Sequence, residues 1–295
     1  MNGQPQFYQQ SRIPGTAARW WKNFSRNKLA SSALLLLSLI ILIALFAPLI
    51  APFDPAEQFH DLFVPPSWHQ QGTTTYLLGT DGLGRDLFSR LVHGATLSLK
   101  LALVVVLIAA SVGILLGSVT ALTFHWLDSI ILRLMDLILA LPSLLLAVVI
   151  VAIIGPGLPN AIYAVAIVLI PHFVLVTRGA IRRELTKDYA TASILDGARH
   201  LHLFFFTILP NILPVIIVQL TMAFSTAILE IAALGFLGLG AQAPNPEWGT
   251  ILSESHNNII SAPWTVTFPG LAIFFTLLSL NLVGDGLRDA MDLED

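Results

Sequence analysis

Six long stretches of this chain are almost wholly apolar, near residues 29–50, 95–123, 128–154, 161–178, 211–231 and 264–284. A helix needs about 20 apolar residues to cross the hydrocarbon core of a bilayer. In lipid, only helices and closed barrels satisfy every backbone polar group. None of the six runs alternates with period two, so they predict transmembrane helices rather than barrel strands. The fold class is therefore an all-α integral membrane protein with six spans. Pro142 lies inside the third run and Pro171 inside the fourth. Each removes a backbone donor and crowds the preceding turn, which predicts a kink. Gly113 and Gly117 form a small-xxx-small pair in the second run and predict close helix packing, not a gate.

The polar segments between the runs are short. In residues 78–99, Leu83, Leu87, Phe88, Leu91 and Val92 recur at helical spacing, with Arg85, Asp86, Ser89, Arg90 and His93 on the other face. This pattern predicts an amphipathic helix at the membrane interface, with Asp81 as its N-cap and Gly79 to Gly82 as the turn before it. Residues 188–210 read as a short helix from Tyr189 to Leu195, built partly from Ala and Leu. Gly197 ends it in a left-handed conformation. Pro210 sits in the first turn of the fifth span, where a missing N–H costs nothing. The division is residues 1–94 (N-terminal segment, first span and loop), 95–290 (five-span core with the 178–210 loop) and a 291–295 tail.

Composition agrees: 55% of the 295 residues are hydrophobic and 11% charged, against about 25% charged in soluble domains. Cysteine is absent, so no thiolate metal site or disulfide is possible. The net charge of −3 informs less than its distribution. Arg12, Arg19, Lys22, Arg26 and Lys28 precede or open the first run without an acid among them. That run exceeds the roughly 7–15 residues of a signal-peptide core, so it is read as a retained anchor. Residues 51–94 hold Asp54, Glu57, Asp61, Asp81 and Asp86 against Arg85 and Arg90. Residues 178–210 hold Arg178, Arg182, Arg183, Lys187 and Arg199, and residues 232–263 hold Glu247 and Glu254 with no cation. The positive-inside rule then puts both termini and the 178–210 loop in the cytoplasm. The acidic tail after Asp285 runs against the trend, but acids contribute little to the rule.

Ionisable groups within spans are functional candidates. Lys100 is read as snorkelling. Arg133 and Asp136, three apart, are read as a structural pair. Glu230 lies 19 residues beyond Asn211, about 28 Å along a helix. It either meets a substrate's amino terminus near the outer mouth or caps the following loop. Gln219 and Asn281 either line the path or bond neighbouring helices. The dispersed histidines, including His200 and His202, suggest no metal site. There is no Ser-His-Asp constellation and no P-loop motif, so no catalytic residue, cofactor or nucleic-acid role is assigned.

Thr191-Ala192-Ser193, Gly197 and Ile208-Leu209-Pro210 stand at the spacing of a Glu-Ala-Ala…Gly…Ile-Leu-Pro pattern. With Gly79-Thr80-Asp81 to Arg90, Ala232 to Gly249 and Asn281 to Ala290, the chain resembles the C-type permeases of the oligopeptide/dipeptide family of ABC importers. The resemblance implies the type I importer permease fold and a bacterial inner-membrane location. It makes Tyr189, Thr191, Ala192, Ser193, Gly197, Ile208, Leu209 and Pro210 the loop that couples to an ATPase. It implies as partners a second homologous permease, two cytoplasmic ABC ATPase subunits, a periplasmic peptide-binding protein and membrane lipid. The implied cargo is dipeptides and small peptides, with antimicrobial peptides, haem, glutathione-like peptides or nickel complexes as alternatives within the family. An ion-coupled secondary transporter is the alternative from another class; it needs an inverted repeat and midplane ion ligands. One departure is Thr191, where the family carries an acid. A contact made by that acid to the ATPase is either absent here or supplied elsewhere, by Asp188 or Asp196.

Overall fold

The computed structural model describes residues 16–123, 125–199 and 202–292. Arg12, His200 and the last acids, Glu294 and Asp295, lie outside them. Five helices are long and apolar enough to cross a membrane: α2 (Lys28–Leu45), α4 (Leu87–Leu122), α7 (Leu158–Leu185), α9 (Leu209–Phe236, entered through a π-helical turn at Leu203–Ile208) and α11 (Trp264–Asp292). A sixth span forms if the pair α5 (His125–Leu139) and α6 (Ser143–Ile154) is taken together. The kink expected at Pro142 is a full break, with α5 and α6 bent by 93°. Pro142 stands in extended backbone just before α6, because it can donate no N–H to continue α5. Pro171, by contrast, is buried inside an α7 that continues through it. Shorter elements are α1 (Thr16–Arg26), α3 (Ala47–Ile50), α8 (Asp188–Leu195) and α10 (Trp248–Ser255).

The bundle is built around the α4–α7 pair, with α9 against both and α11 against α9 and α2. The pair is close because Gly113 and Gly117 face α7. A Cβ added at Gly113 would stand 2.3 Å from Phe173 Cβ, and one at Gly117 would stand 2.7 Å from the Val174 carbonyl. The two glycines thus serve packing, as the sequence predicts.

The 51–86 connection closes one end of the bundle, and the structure corrects its reading. No separate amphipathic helix lies at an interface: residues 87–94 are the first turns of the 36-residue α4. Its N-cap is Asp86, which accepts from the Ser89 N–H at 2.8 Å, not Asp81. Asp81 instead accepts from the Leu83 and Arg85 N–H groups and pairs with the Arg85 and Arg90 side chains. Both guanidiniums also bind Glu254 at the end of α10, each at 2.7 Å. The supposed polar face is therefore buried, with Arg90 fully enclosed. A buried charge is tolerated only when paired and hydrogen-bonded. α10 is held at its other end by Glu247, which caps it through the Thr250 N–H and accepts from Ser98 Oγ of α4 at 3.0 Å. Burial pushes the Glu247 carboxyl above its ordinary range, against the lowering effect of these hydrogen bonds. The Trp264 indole donates to the Thr80 carbonyl and ties α11 to the same end.

Candidate coupling site

The opposite end of the bundle carries α8. Helix α7 ends at Leu185, and Thr186 and Lys187 turn the chain into α8. One face of α8 is seated through Ala190, which is fully buried, while Ile194 is 50% and Leu195 82% exposed. The C-terminus of α8 is a Schellman motif: Ala198 N–H donates to the Ser193 carbonyl, Gly197 N–H donates to the Ile194 carbonyl, and Gly197 has φ +85°. The left-handed glycine expected from the sequence is therefore present. A Cβ placed on it meets nothing within 4 Å, so the requirement is one of backbone conformation alone. Beside it lies a cleft of ≈ 470 Å³ lined by Ser193, Asp196, Gly197, Ala198, Arg199 and His202.

Two features join α8 to the spans, and the sequence reading missed both. The first is Glu184, near the end of α7. It accepts from the Tyr189 hydroxyl and from Lys187 Nζ at 3.1 Å. Burial and the Glu184 carboxylate raise the Tyr189 pKa, so the phenol keeps its proton and the hydrogen bond. Thr191, at the family's acidic position, is exposed, as are Asp188, Ala192 and Asp196. The carboxylate that fastens Tyr189 thus comes from the preceding span, seven residues before Thr191. The second feature is the π turn at Leu203–Ile208. Its last bond runs from Leu209 N–H to the Phe204 carbonyl, immediately before Pro210, which has no N–H to give. Pro210 occupies the first turn of α9 as expected, but the helical path begins a turn earlier. Ile208 is fully buried in a cluster with Ala180, Ile181, Leu203, Ile212 and Ile216, and Leu209 packs against it. This apolar joint locks the return strand of the loop to α7 and α9. The segment after α8 is thereby packed against two spans.

A further ion cluster fixes the same end. Asp128 at the start of α5 receives two bonds from Arg178, at 2.6 and 2.7 Å, and one from Arg182 at 2.7 Å. It replaces the pair expected between Arg133 and Asp136: among the described residues no ion pair joins those two. The three path candidates are not brought together as one site. Glu230 is buried within the bundle, where Ser143 Oγ at the start of α6 donates to it at 2.6 Å. Gln219 is half-buried on α9, and Asn281 is exposed on α11. Lys100 is exposed on α4.

The model of the family described as binding-protein-dependent transport system inner membrane component matches residues 113–293, and that of the N-terminal TM domain of oligopeptide transport permease C matches residues 16–66. The chain is 54% identical over 280 residues to the di/tripeptide transport system permease protein DppC of Pseudomonas aeruginosa, covering 95% of this chain and 92% of that one. It is 50% identical to the dipeptide transport system permease protein DppC of Escherichia coli, over 92% of this chain and 91% of the other. Against the E. coli peptide transport system permease protein SapC the identity is 41%, over 96% of each. Among solved structures, an inward-facing MetNI methionine ABC transporter superposes with a TM-score of 0.57 at 18% identity, over 69% of this chain and 97% of that one, a likeness of fold. The chain belongs to the family of inner membrane components of binding-protein-dependent transport systems, the non-catalytic transmembrane permeases of ABC transporters.

Proposed function

We propose that this chain is the permease subunit of an ATP-driven importer for dipeptides and related small peptides, with residues 188–200 as its contact with an ATPase. The cargo reading rests on the 54% identity to a di/tripeptide permease across nearly the whole chain. The coupling reading rests on one observation: a short helix with a buried seat at Ala190, exposed Ile194 and Leu195, and a left-handed exit at Gly197. In this reading the α8 end faces the cytoplasm, as do both termini, and the 51–86 end faces the periplasm. The partners are a second homologous permease, two ATPase subunits and a periplasmic peptide-binding protein. Tyr189, Thr191, Ala192 and Ser193 present the helix, Gly197 sets its exit, and Ile208, Leu209 and Pro210 carry motion into α9. Gln219 and Asn281 are the path candidates this reading retains. Glu230 acts first through Ser143, holding the α5–α6 break against α9.

The experiment is uptake by the reconstituted importer. Liposomes holding the assembled complex and its binding protein should accumulate labelled dipeptide only with ATP inside the ATPase-facing compartment. Uptake driven by an ion gradient without ATP, or ATP-driven uptake indifferent to dipeptide competition, would overturn the reading.

A further inference from the structure

The first helix is not a passive lead-in to the first span. We infer that α1 is a fixed docking surface for anionic phospholipid headgroups. Arg19, Lys22 and Arg26 are spaced by three and four residues, which at about 100° per residue puts them within an arc of about 60°. Trp20, Trp21 and Phe24 occupy the opposite side of the same helix. Phe24 is buried, and a Cβ added to Gly286 of α11 would stand 3.1 Å from its ring and 2.3 Å from Ala30 Cβ. Phe24 therefore pins α1 on α11 and the start of α2, while Trp21 stays exposed. Only Asn27 separates α1 from α2, and its side chain caps α2 by accepting from the Ala30 N–H. The cationic side is thus held rigidly at the rim of two spans rather than carried on a free arm.

The surroundings point to lipid. Trp21, on the aromatic side of α1, is 63% exposed, and Leu29, next to Lys28, is 68% exposed; such aromatic and aliphatic side chains settle at the headgroup boundary. Lys22, Arg26 and Lys28 are exposed, and no described ion pair joins any of them to an acid. The sequence holds no Asp or Glu before Asp54. Asp285 and Asp289 of α11, the element packed against α1, are both exposed. Clusters of basic residues next to a span attract anionic headgroups, each cation contributing roughly a fivefold preference near the surface at low salt. The occupant is the phosphodiester of a membrane lipid, because the exposed cations share this short segment with the exposed apolar side chains of Trp21 and Leu29. This inference is independent of the cargo and of the ATPase contact.

The test uses the assembled importer in liposomes doped with spin-labelled phosphatidylglycerol or phosphatidylcholine, and reads the fraction of immobilised label. The native complex should hold the phosphatidylglycerol label in excess, and the excess should fall with salt. Replacing Lys22, Arg26 and Lys28 together by Gln should reduce it by at least about threefold, while Lys22→Arg with Arg26→Lys and Lys28→Arg should retain it. Equal immobilisation of the two lipids by the native complex would overturn the inference, as would an unchanged excess in the Gln variant. Displacement of the label by excess inorganic phosphate at constant ionic strength would make this a soluble-anion site and overturn the lipid assignment. If the triple Gln variant fails to assemble, Lys22→Gln alone decides by the same readout.

Discussion

Replacing Gly197 isolates the geometry on which the proposed coupling rests. The residue has φ +85°, and its Cβ direction points into open space. An added Cβ meets no neighbour within 4 Å, and the left-handed backbone costs about 1–2 kcal/mol for a non-glycine residue. A β-branched side chain lies at the upper end of that range, since a positive φ suits it worst. A factor of ten in a conformational ratio is about 1.4 kcal/mol. If the strained exit competes with a relaxed one, the share of loops leaving α8 in the native direction falls roughly five- to thirtyfold. Insertion and global folding survive, because no span is altered and a domain's stability is about 5–15 kcal/mol. Gly197→Val should therefore lower ATPase co-purification and ATP-driven uptake together, with normal amounts of permease in the membrane. Gly197→Asn should be milder, since asparagine visits this conformation more readily. Native uptake and native ATPase association in Gly197→Val would refute the reasoning. So would an Asn variant as impaired as the Val variant, because the defect would then stem from side-chain bulk.

Reporter fusions near residue 70 and residue 190 should report opposite compartments, the second cytoplasmic; matching signals would refute the six-span arrangement. Arg90→Met should destabilise the purified complex by about 1–3 kcal/mol, because it takes from buried Asp81 one of its two guanidinium partners and leaves Arg85 alone to bridge Asp81 and Glu254. Thermal unfolding in detergent measures this, and a loss below about 1 kcal/mol would show that the charge network is not structural. Glu247 binds its proton more tightly folded than unfolded, so its contribution to stability is greatest in acid. That contribution is lost as pH rises from the unfolded value near 4.3 through the raised folded one. Glu247→Gln, which keeps the acceptor oxygen, should flatten that part of the stability-versus-pH curve; an unchanged curve would show that Glu247 does not contribute to it.

The spans and the short helix with its glycine exit at residues 188–197 were legible because their signals are local. Apolar runs mark the helices, a glycine after a short helix marks a left-handed exit, and Pro142 marks the break. What was misread depends on distant partners. The Arg85–Arg90 segment looks like the wet side of a surface helix until Glu254, about 170 positions later, arrives to neutralise it. Asp128 is claimed by Arg178 and Arg182 of another helix, so the local spacing of Arg133 and Asp136 misled. The π turn before Pro210 has no marker beyond the proline itself. Glu184 was passed over because the family's acid was sought inside α8 and not at the end of the preceding span. The α4–α7 contact, in contrast, was announced by Gly113 and Gly117, whose missing side chains are needed wherever the partner helix lies.

Docking of α8 on an ATPase is tested most directly by cross-linking. The chain has no cysteine, so Leu195→Cys, at a side chain 82% exposed, creates a single addressable thiol. A photoreactive label on it should join the permease to an ATPase subunit in the assembled complex, and a label at an exposed position on the 51–86 end should not. Failure of the residue 195 label to reach any ATPase subunit, in a complex that still hydrolyses ATP and imports dipeptide, would contradict the account.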